Sequence, residues 1–265
     1  MKKISKSLPP NTLTQFQQIN PGTDWSDFRN AEQGNAYKAL RSLIINDQGG
    51  LCAYCEQTIS TRPASSQRVE HFHSKSDTSQ PNMNWALDWN NVIAVCLGGS
   101  SAIDDDHSRH PTPANLSCDA FKAHLEERGQ LSKDIEGNVL NPLELPAFPC
   151  LLTFDKSTGE LKADHAACGA AHFEGKNAYP SLAELVEQTI RVFNLNCQRL
   201  CDERLEVLKH YNQQIARARK LNNENIFEQL ATRWFLTPWP SFFTTRRALL
   251  GKHAENYLVS TGYNG

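Results

Sequence analysis

The segment Leu51–Ser60, LCAYCEQTIS, holds two cysteines three positions apart, Cys52 and Cys55, and after a short polar loop Arg68–Lys75 reads RVEHFHSK. A lone CxxC has three readings: a redox pair, a metal knuckle, or two small buried hydrophobes. The redox reading needs a strand-to-helix turn in a βαβ setting. Here the stretch that follows, EQTISTRPASS, is a polar loop. The metal reading needs two more soft ligands. Cys96 and Cys118 supply them, each near the end of an expected element. Four thiolates around one Zn²⁺ close a tetrahedral structural site. The 21 residues between Cys96 and Cys118 are long for a second knuckle and imply an inserted loop.

The chain around this frame has 265 residues, enough for one large domain or two small ones. Its net charge is −2 and its pI about 6.5, which excludes a protein that grips nucleic acid with its whole surface. A nucleic-acid substrate requires a local basic groove or a partner's surface. No run of about 18 apolar residues is present, so no membrane span is expected. The start, MKKISKSLPPNTL, is positive but has no apolar core behind it, unlike a secretory signal. Eight cysteines without a signal point to a reducing, cytoplasmic compartment, where metal ligation is favoured over a disulfide framework.

Three segments are expected. Residues 1–48 form an N-terminal arm, polar and broken by Pro9, Pro10 and Pro21, followed by a helix over FRNAEQGNAYKALRSLIIND. Leu40, Leu43 and Ile44 share a face of that helix, and Gly49 and Gly50 end it. Residues 49–129 carry the cysteines, a strand over QRVEHFH, a strand over NNVIAVC and a helix over LSCDAFKAHLEERG stopped by Gly129. Residues 130–265 contain a hairpin, LLTFDKSTGELKA, turning at Gly159. Helices follow at SLAELVEQTIRVFNLN, about 197–220, NIFEQLATRWF and TTRRALLGKHAENYL. The fold class read from this order is α+β.

Inside the cysteine frame, Glu70, His71, Asn91 and Asp119 fall in the order carboxylate–His, Asn, carboxylate. In this the sequence resembles the HNH (ββα-metal) nucleases, with an acidic–His pair on the first strand, an Asn before the second strand and a metal-binding residue at the helix start. Lys122 matches the basic residue one turn into that helix. The chemistry requires these types. His71 takes a proton from water, because imidazole titrates near neutrality. Glu70 and Asp119 are hard oxygen ligands suited to Mg²⁺ or Mn²⁺. Asn91 braces the loop that holds His71, and Lys122 contacts a phosphate. His73, two residues on, either completes the metal shell, binds phosphate, or is a partly exposed strand histidine.

Six blocks extend the resemblance: GLCAYCE, VEHFHSK, WNNVIAVC, CDAFK, NPLE and FNLNCQRLCDER. Together, over Leu51–Arg204, they resemble the PtuB-type HNH nucleases of Septu anti-phage systems and certain retrons. The resemblance implies an endonuclease acting as the effector subunit of a defence complex with a PtuA-type ABC ATPase. It also implies a DNA or RNA substrate and, in a retron, a reverse transcriptase with its msDNA. Glu70 stands where many relatives have Asp, Ser74 where the subfamily often has Pro, and Asp119 where Asn or His is commoner. These departures bear on metal preference.

Other candidates read as structural. DDDHSRH, Asp104–His110, is a charged loop. His165, Cys168 and His172 have zinc-like spacing without a second cysteine pair. Cys197 and Cys201 share one helix face, as core residues do. RARK, Arg217–Lys220, suits a helix C-terminus. Arg246 and Arg247 stay open, as does TPWPSFF, which is either core or a surface that docks a partner. The chief rival to a nuclease is a non-catalytic zinc-finger module that binds nucleic acid or protein. A second rival is a docking subunit with a vestigial site.

Overall fold

The computed structural model describes residues 1–20, 22–80, 82–101, 105–132 and 134–263. Pro21 and Asp104 lie outside the described residues.

Residues 1–10 form neither helix nor strand and are followed by α1 (Asn11–Ile19) and α2 (Trp25–Asn30). Asp24 caps α2 through reciprocal hydrogen bonds with Asp27. The arm is not the polar extension expected from its prolines. Met1 and Ile4 are buried, and the Ile4 N–H donates to the Pro142 carbonyl at 3.0 Å. Lys6 lies over the Trp89 ring and donates to the Trp89 and Val92 carbonyls. Two apolar anchors and one cation–π contact thus bind the arm to the body.

The helix expected from Phe28 onward is split. Glu32 and Gln33 take left-handed φ values of 51° and 57° within a 3₁₀ turn at Ala31–Gly34. Gly34 costs about 1 kcal/mol in a helix interior relative to alanine, and the chain breaks there before α3 (Asn35–Asp47). Leu40 and Ile44 face the core, with Leu43 half-buried against it. A Cβ on Gly49 would lie 2.6 Å from the Trp239 ring, so glycine at this turn admits the indole.

β1 (Arg68–His71) pairs antiparallel with β2 (Val92–Val95), from Arg68↔Val95 to His71↔Val92. β2 is buried throughout. The buried Gln48 amide ties the end of α3 to it, accepting from Ala94 N–H (2.7 Å) and donating to the Ala94 carbonyl (2.8 Å). α4 (Cys118–Glu127) comes next in the chain after β2.

β3 (Leu152–Phe154) and β4 (Leu161–Ala163) form the expected hairpin. α5 (His165–Ala170) was not foreseen: its six residues are too few for a periodic pattern, and only the Asp164 cap marks it. α6 (Leu182–Val192), α7 (Gln198–Lys220) and α8 (Ile226–Trp234) follow. The last expected helix is two, α9 (Phe243–Leu250) and α10 (Lys252–Ser260), because Gly251 adopts φ 51° between them. Trp239, Phe242 and Phe243 are buried, and the Trp239 N–H donates to the Gly49 carbonyl at 2.9 Å. The aromatic loop is therefore a wall of the core. The buried apolar residues form one cluster running from Met1 to Tyr263. The architecture mixes helices and strands, with helices dominant.

Candidate metal centre and active-site groove

Cys52 and Cys55 lie in the turn after α3, Cys96 follows β2, and Cys118 opens α4. All four are buried, and their sulfurs lie within 4.8 Å of one another. The Cys52–Cys118, Cys55–Cys96 and Cys96–Cys118 sulfur separations are 3.8, 3.6 and 3.9 Å. Four sulfurs at Zn–S bonds of about 2.3 Å in a tetrahedron stand about 3.8 Å apart. The donor set and its spacing fit that ion. The Cys96 N–H faces the Cys52 sulfur (3.4 Å), and the Gly98 N–H faces the Cys96 sulfur (3.3 Å). Gly98 has φ +63°, and a Cβ there would sit 2.1 Å from the Ser117 carbonyl oxygen, so the loop closes this tightly on glycine alone. Burial pushes the Cys55 and Cys118 thiols well up. Burial opposes ionisation of Cys52 as well, but hydrogen bonds from the neighbouring sulfurs, Cys118 first, outweigh it and bring that thiol well down. Four buried sulfurs carry more than one negative charge only beside a cation.

The corner between α6 and α7 clamps this centre. The Cys118 N–H donates to the Phe193 carbonyl (2.8 Å), and Phe193 stacks on Tyr54 between the first two cysteines, with centroids 3.9 Å apart. The Asn194 amide donates to the Ala114 and Leu116 carbonyls. Arg199, 4% exposed, donates to Gln57 Oε1 (3.1 Å) and Ser117 Oγ (2.9 Å), and its charge acts on Cys55 and Cys96. Sequence reading missed Arg199. The FNLNCQRLCDER block was the available signal, but no local spacing ties an arginine on α7 to Gln57 and Ser117.

The strand pair and α4 bring Glu70, His71, Asp119 and Lys122 to one groove of about 360 Å³. Lys122 contacts the Glu70 carboxylate and lies 3.4 Å from Asp119 Oδ1. Burial, then the Asp119 charge, push Glu70 up to about 7 against the pull of Lys122. Two crowded carboxylates around one cation fit a hard divalent ion. Glu70 and Asp119 are the residues that would hold it.

His71 Nε2 lies 3.0 Å from the Ala86 carbonyl. A carbonyl only accepts, so Nε2 carries the proton and Nδ1 keeps its lone pair in the neutral ring. The Trp25 indole meets the imidazole edge-on at 4.6 Å. Burial, helped by the Lys75 and Lys122 charges, pushes His71 down to about 4. The ring is thus a neutral proton acceptor at pH 7. Arg29 and Lys75 add positive charge to the groove wall. Trp25, Arg29 and Lys75 were also missed, since no spacing rule ties the N-terminal helices to β1.

Asn91 is buried beneath the loop leaving β1. Its Oδ1 accepts from His73 N–H at 2.6 Å, and its Nδ2 donates to the His73 and Trp85 carbonyls at 3.0 and 2.8 Å. His73 itself faces a different cavity, with Trp85 and Glu136. A strand continued over the whole of QRVEHFH would set His73 on the face of His71, but β1 ends at His71, so the alternation stops there. Its two nitrogens meet Glu136 (2.6 Å) and Asp77 (2.7 Å), and its ring stacks on Trp85.

Among the described residues, the four cysteines are the one group of three or more His, Cys, Asp or Glu with ligand-like spacing. Cys168 is buried and bonds the Leu151 carbonyl, whereas His172 is exposed beside Glu174. Cys197 and Cys201 pack in the core. In the charged loop, Arg109 and His110 bind Asp202 on α7 at 3.0 and 2.9 Å, and His107 meets the Gly99 carbonyl. That loop is anchored structure.

The chain is 41% identical over 251 residues, 94% of its length and 93% of the relative's, to the Escherichia coli protein named "Retron Ec83 putative HNH endonuclease". No protein-family model matches it. At that identity and coverage, the chain belongs to the HNH endonuclease family of this retron protein. No helix among the described residues is long and apolar enough to cross a membrane.

Proposed function

We propose that this chain is a metal-dependent HNH endonuclease that hydrolyses phosphodiester bonds of nucleic acid. The observation that carries the reading is the meeting of Glu70, Asp119 and Lys122 in the groove lined by His71, whose tautomer is fixed. Residues 49–129 form the nuclease module, with β1, β2 and α4 as its ββα-metal core. Residues 1–48 and 130–265 support it. The four cysteines hold a structural Zn²⁺, which locks the end of β2 and the start of α4 together.

Glu70 and Asp119 would hold Mg²⁺ or Mn²⁺, and the ion would supply charge neutralisation on the phosphate and on the departing 3′ oxygen. His71 receives the proton of the attacking water at Nδ1, while the Ala86 carbonyl holds the other side of the ring. Lys122, with Arg29 and Lys75, holds substrate phosphates in the groove. Asn91 positions the loop after His71 and touches no substrate. His73, gripped by two carboxylates, is a positioning residue.

The retron name of the relative and the resemblance of the six sequence blocks support a defence role. In this reading the chain is the PtuB-type effector of an anti-phage complex with a PtuA-type ABC ATPase, in a retron context with reverse transcriptase and msDNA. The test is cleavage of single- and double-stranded DNA and RNA, with Mg²⁺, with Mn²⁺ and with neither, by the chain alone and with the ATPase encoded beside it. Cleavage that requires the added ion is expected. A zinc-loaded protein that cuts none of these substrates in either state is a binding module instead.

A further inference from the structure

A second cavity, about 560 Å³, opens between α7, α8, the start of α9 and the loop after Cys55. It shares no lining residue with the Glu70 groove. Arg233, Arg246 and His210 line it with the hydroxyl residues Thr58, Ser60 and Thr61, and no carboxylate does. The Glu70 groove and the cavities at Glu136 and Glu187 all carry carboxylates beside their cations.

The two arginines are unbalanced. Among the described residues neither has an ion-pair partner. The neighbouring Arg247 shows what a satisfied guanidinium looks like here: two of its nitrogens bond Glu255, both at 2.6 Å. Arg246 instead lies over the Trp234 ring at 4.7 Å and spends only Nε, on the Ser241 carbonyl at 2.8 Å. Among the described residues, neither of its terminal nitrogens has a protein acceptor. Arg233 bonds the neutral Gln214 side chain. Burial, then the like charge of Arg233, lower the Arg246 pKa to about 10. The half-buried Arg246 cation beside the exposed Arg233 charge, with no anion near, is disfavoured, and an anion between them relieves the repulsion. A guanidinium fork matches phosphate oxygens two at a time, and serine and threonine hydroxyls add donors to the same oxygens.

We infer that this cavity binds a phosphate group, outside the groove proposed for cleavage, with Arg233 and Arg246 as its clamp. The phosphate belongs either to a nucleotide or to a nucleic-acid strand. The inference rests on charge and geometry at α7–α9 and stands whether or not the Glu70 groove cleaves.

The test is binding by the full zinc-loaded chain without added Mg²⁺ or Mn²⁺. Two probes are used, ATP and a short fluorescent single-stranded DNA, each titrated at low salt and again with inorganic phosphate as competitor. Arg233→Gln, Arg246→Lys and the double change to Gln are compared with wild type and with Lys162→Gln, which removes a charge that lines neither cavity. Loss of one charged contact is expected to weaken the preferred probe about tenfold, and the double change more. Phosphate is expected to compete, and Lys162→Gln to bind as wild type. Preference for ATP assigns a nucleotide site, and preference for DNA a strand path. If Arg246→Gln disturbs folding, Arg233→Gln carries the test, because that side chain is exposed. Failure of wild type to bind either probe, or unchanged binding by a folded double variant, overturns the inference. Cleavage is not read, so this result is separable from the fate of the nuclease proposal.

Discussion

The side chain of Asn91 grips both backbone polar groups of His73, accepting from its N–H at 2.6 Å and donating to its carbonyl at 3.0 Å. The contact joins the residue before β2 to the loop after β1. It fixes the exit of the strand that carries Glu70 and His71. Asn91→Ala leaves two part-buried carbonyls and one N–H without this partner, a destabilisation of about 1–3 kcal/mol. Asn91→Asp removes the donor and turns a carboxylate toward two carbonyls, so it is expected to be no better. Denaturant melts of both variants against wild type check this.

The four-sulfur centre predicts about one tightly held Zn²⁺ per chain. Cys52→Ser, Cys96→Ser and Cys118→Ser each remove one ligand and are expected to lose zinc and melt earlier, since metal binding is coupled to folding. Cys197→Ser and Cys201→Ser change core residues and are expected to keep full zinc. Metal analysis on the five purified variants separates the two groups.

Arg199 places a buried positive charge beside the thiolate cluster. Arg199→Met keeps much of the volume, strands Ser117 and Gln57, and leaves the anionic centre less compensated. Zinc is expected to leave this variant at lower chelator concentration than wild type. Equal chelator resistance would remove Arg199 from the account of the centre.

His73 is held between Glu136 and Asp77. Burial disfavours its charge, but the hydrogen bonds to Glu136 and Asp77 win and raise its pKa above the ordinary 6.5. The folded state therefore binds the proton more tightly than the unfolded chain. The resulting stability is fully present below pH 6.5, while both carboxylates remain ionised, and is lost as pH rises through the raised value. The melting-temperature gap between wild type and His73→Gln is expected to be wide at pH 5.5 and to narrow by pH 8.5. A gap that widens with pH would reverse the sign of this argument.

Much of this was legible in the residues. The apolar run at Val92–Val95, the helical spacing of apolar residues across Leu182–Val192, and the cysteines at 52, 55, 96 and 118 announced their elements and their cluster directly. Local pattern could not show contacts between distant segments. Nothing in MKKISKSLPP says that Met1 and Ile4 are core, and nothing in TPWPSFF says that Trp239 closes over Gly49. The His71 tautomer was invisible because its partner is a backbone carbonyl, which any residue at 86 supplies. His73 was misplaced because strand periodicity was carried past the strand's last residue.

The measurement that tests the central claim most directly is a metal titration of cleavage by wild type, His71→Ala, Glu70→Ala and Asp119→Ala, all zinc-loaded and in the native complex. General-base loss costs about 10²–10⁴-fold in rate. His71→Ala is therefore expected to saturate at the wild-type Mg²⁺ or Mn²⁺ concentration, on a plateau lower by that factor. Glu70→Ala and Asp119→Ala are expected to need more metal, with activity partly restored at high concentration. A His71→Ala protein that cleaves like wild type would contradict the mechanism proposed here.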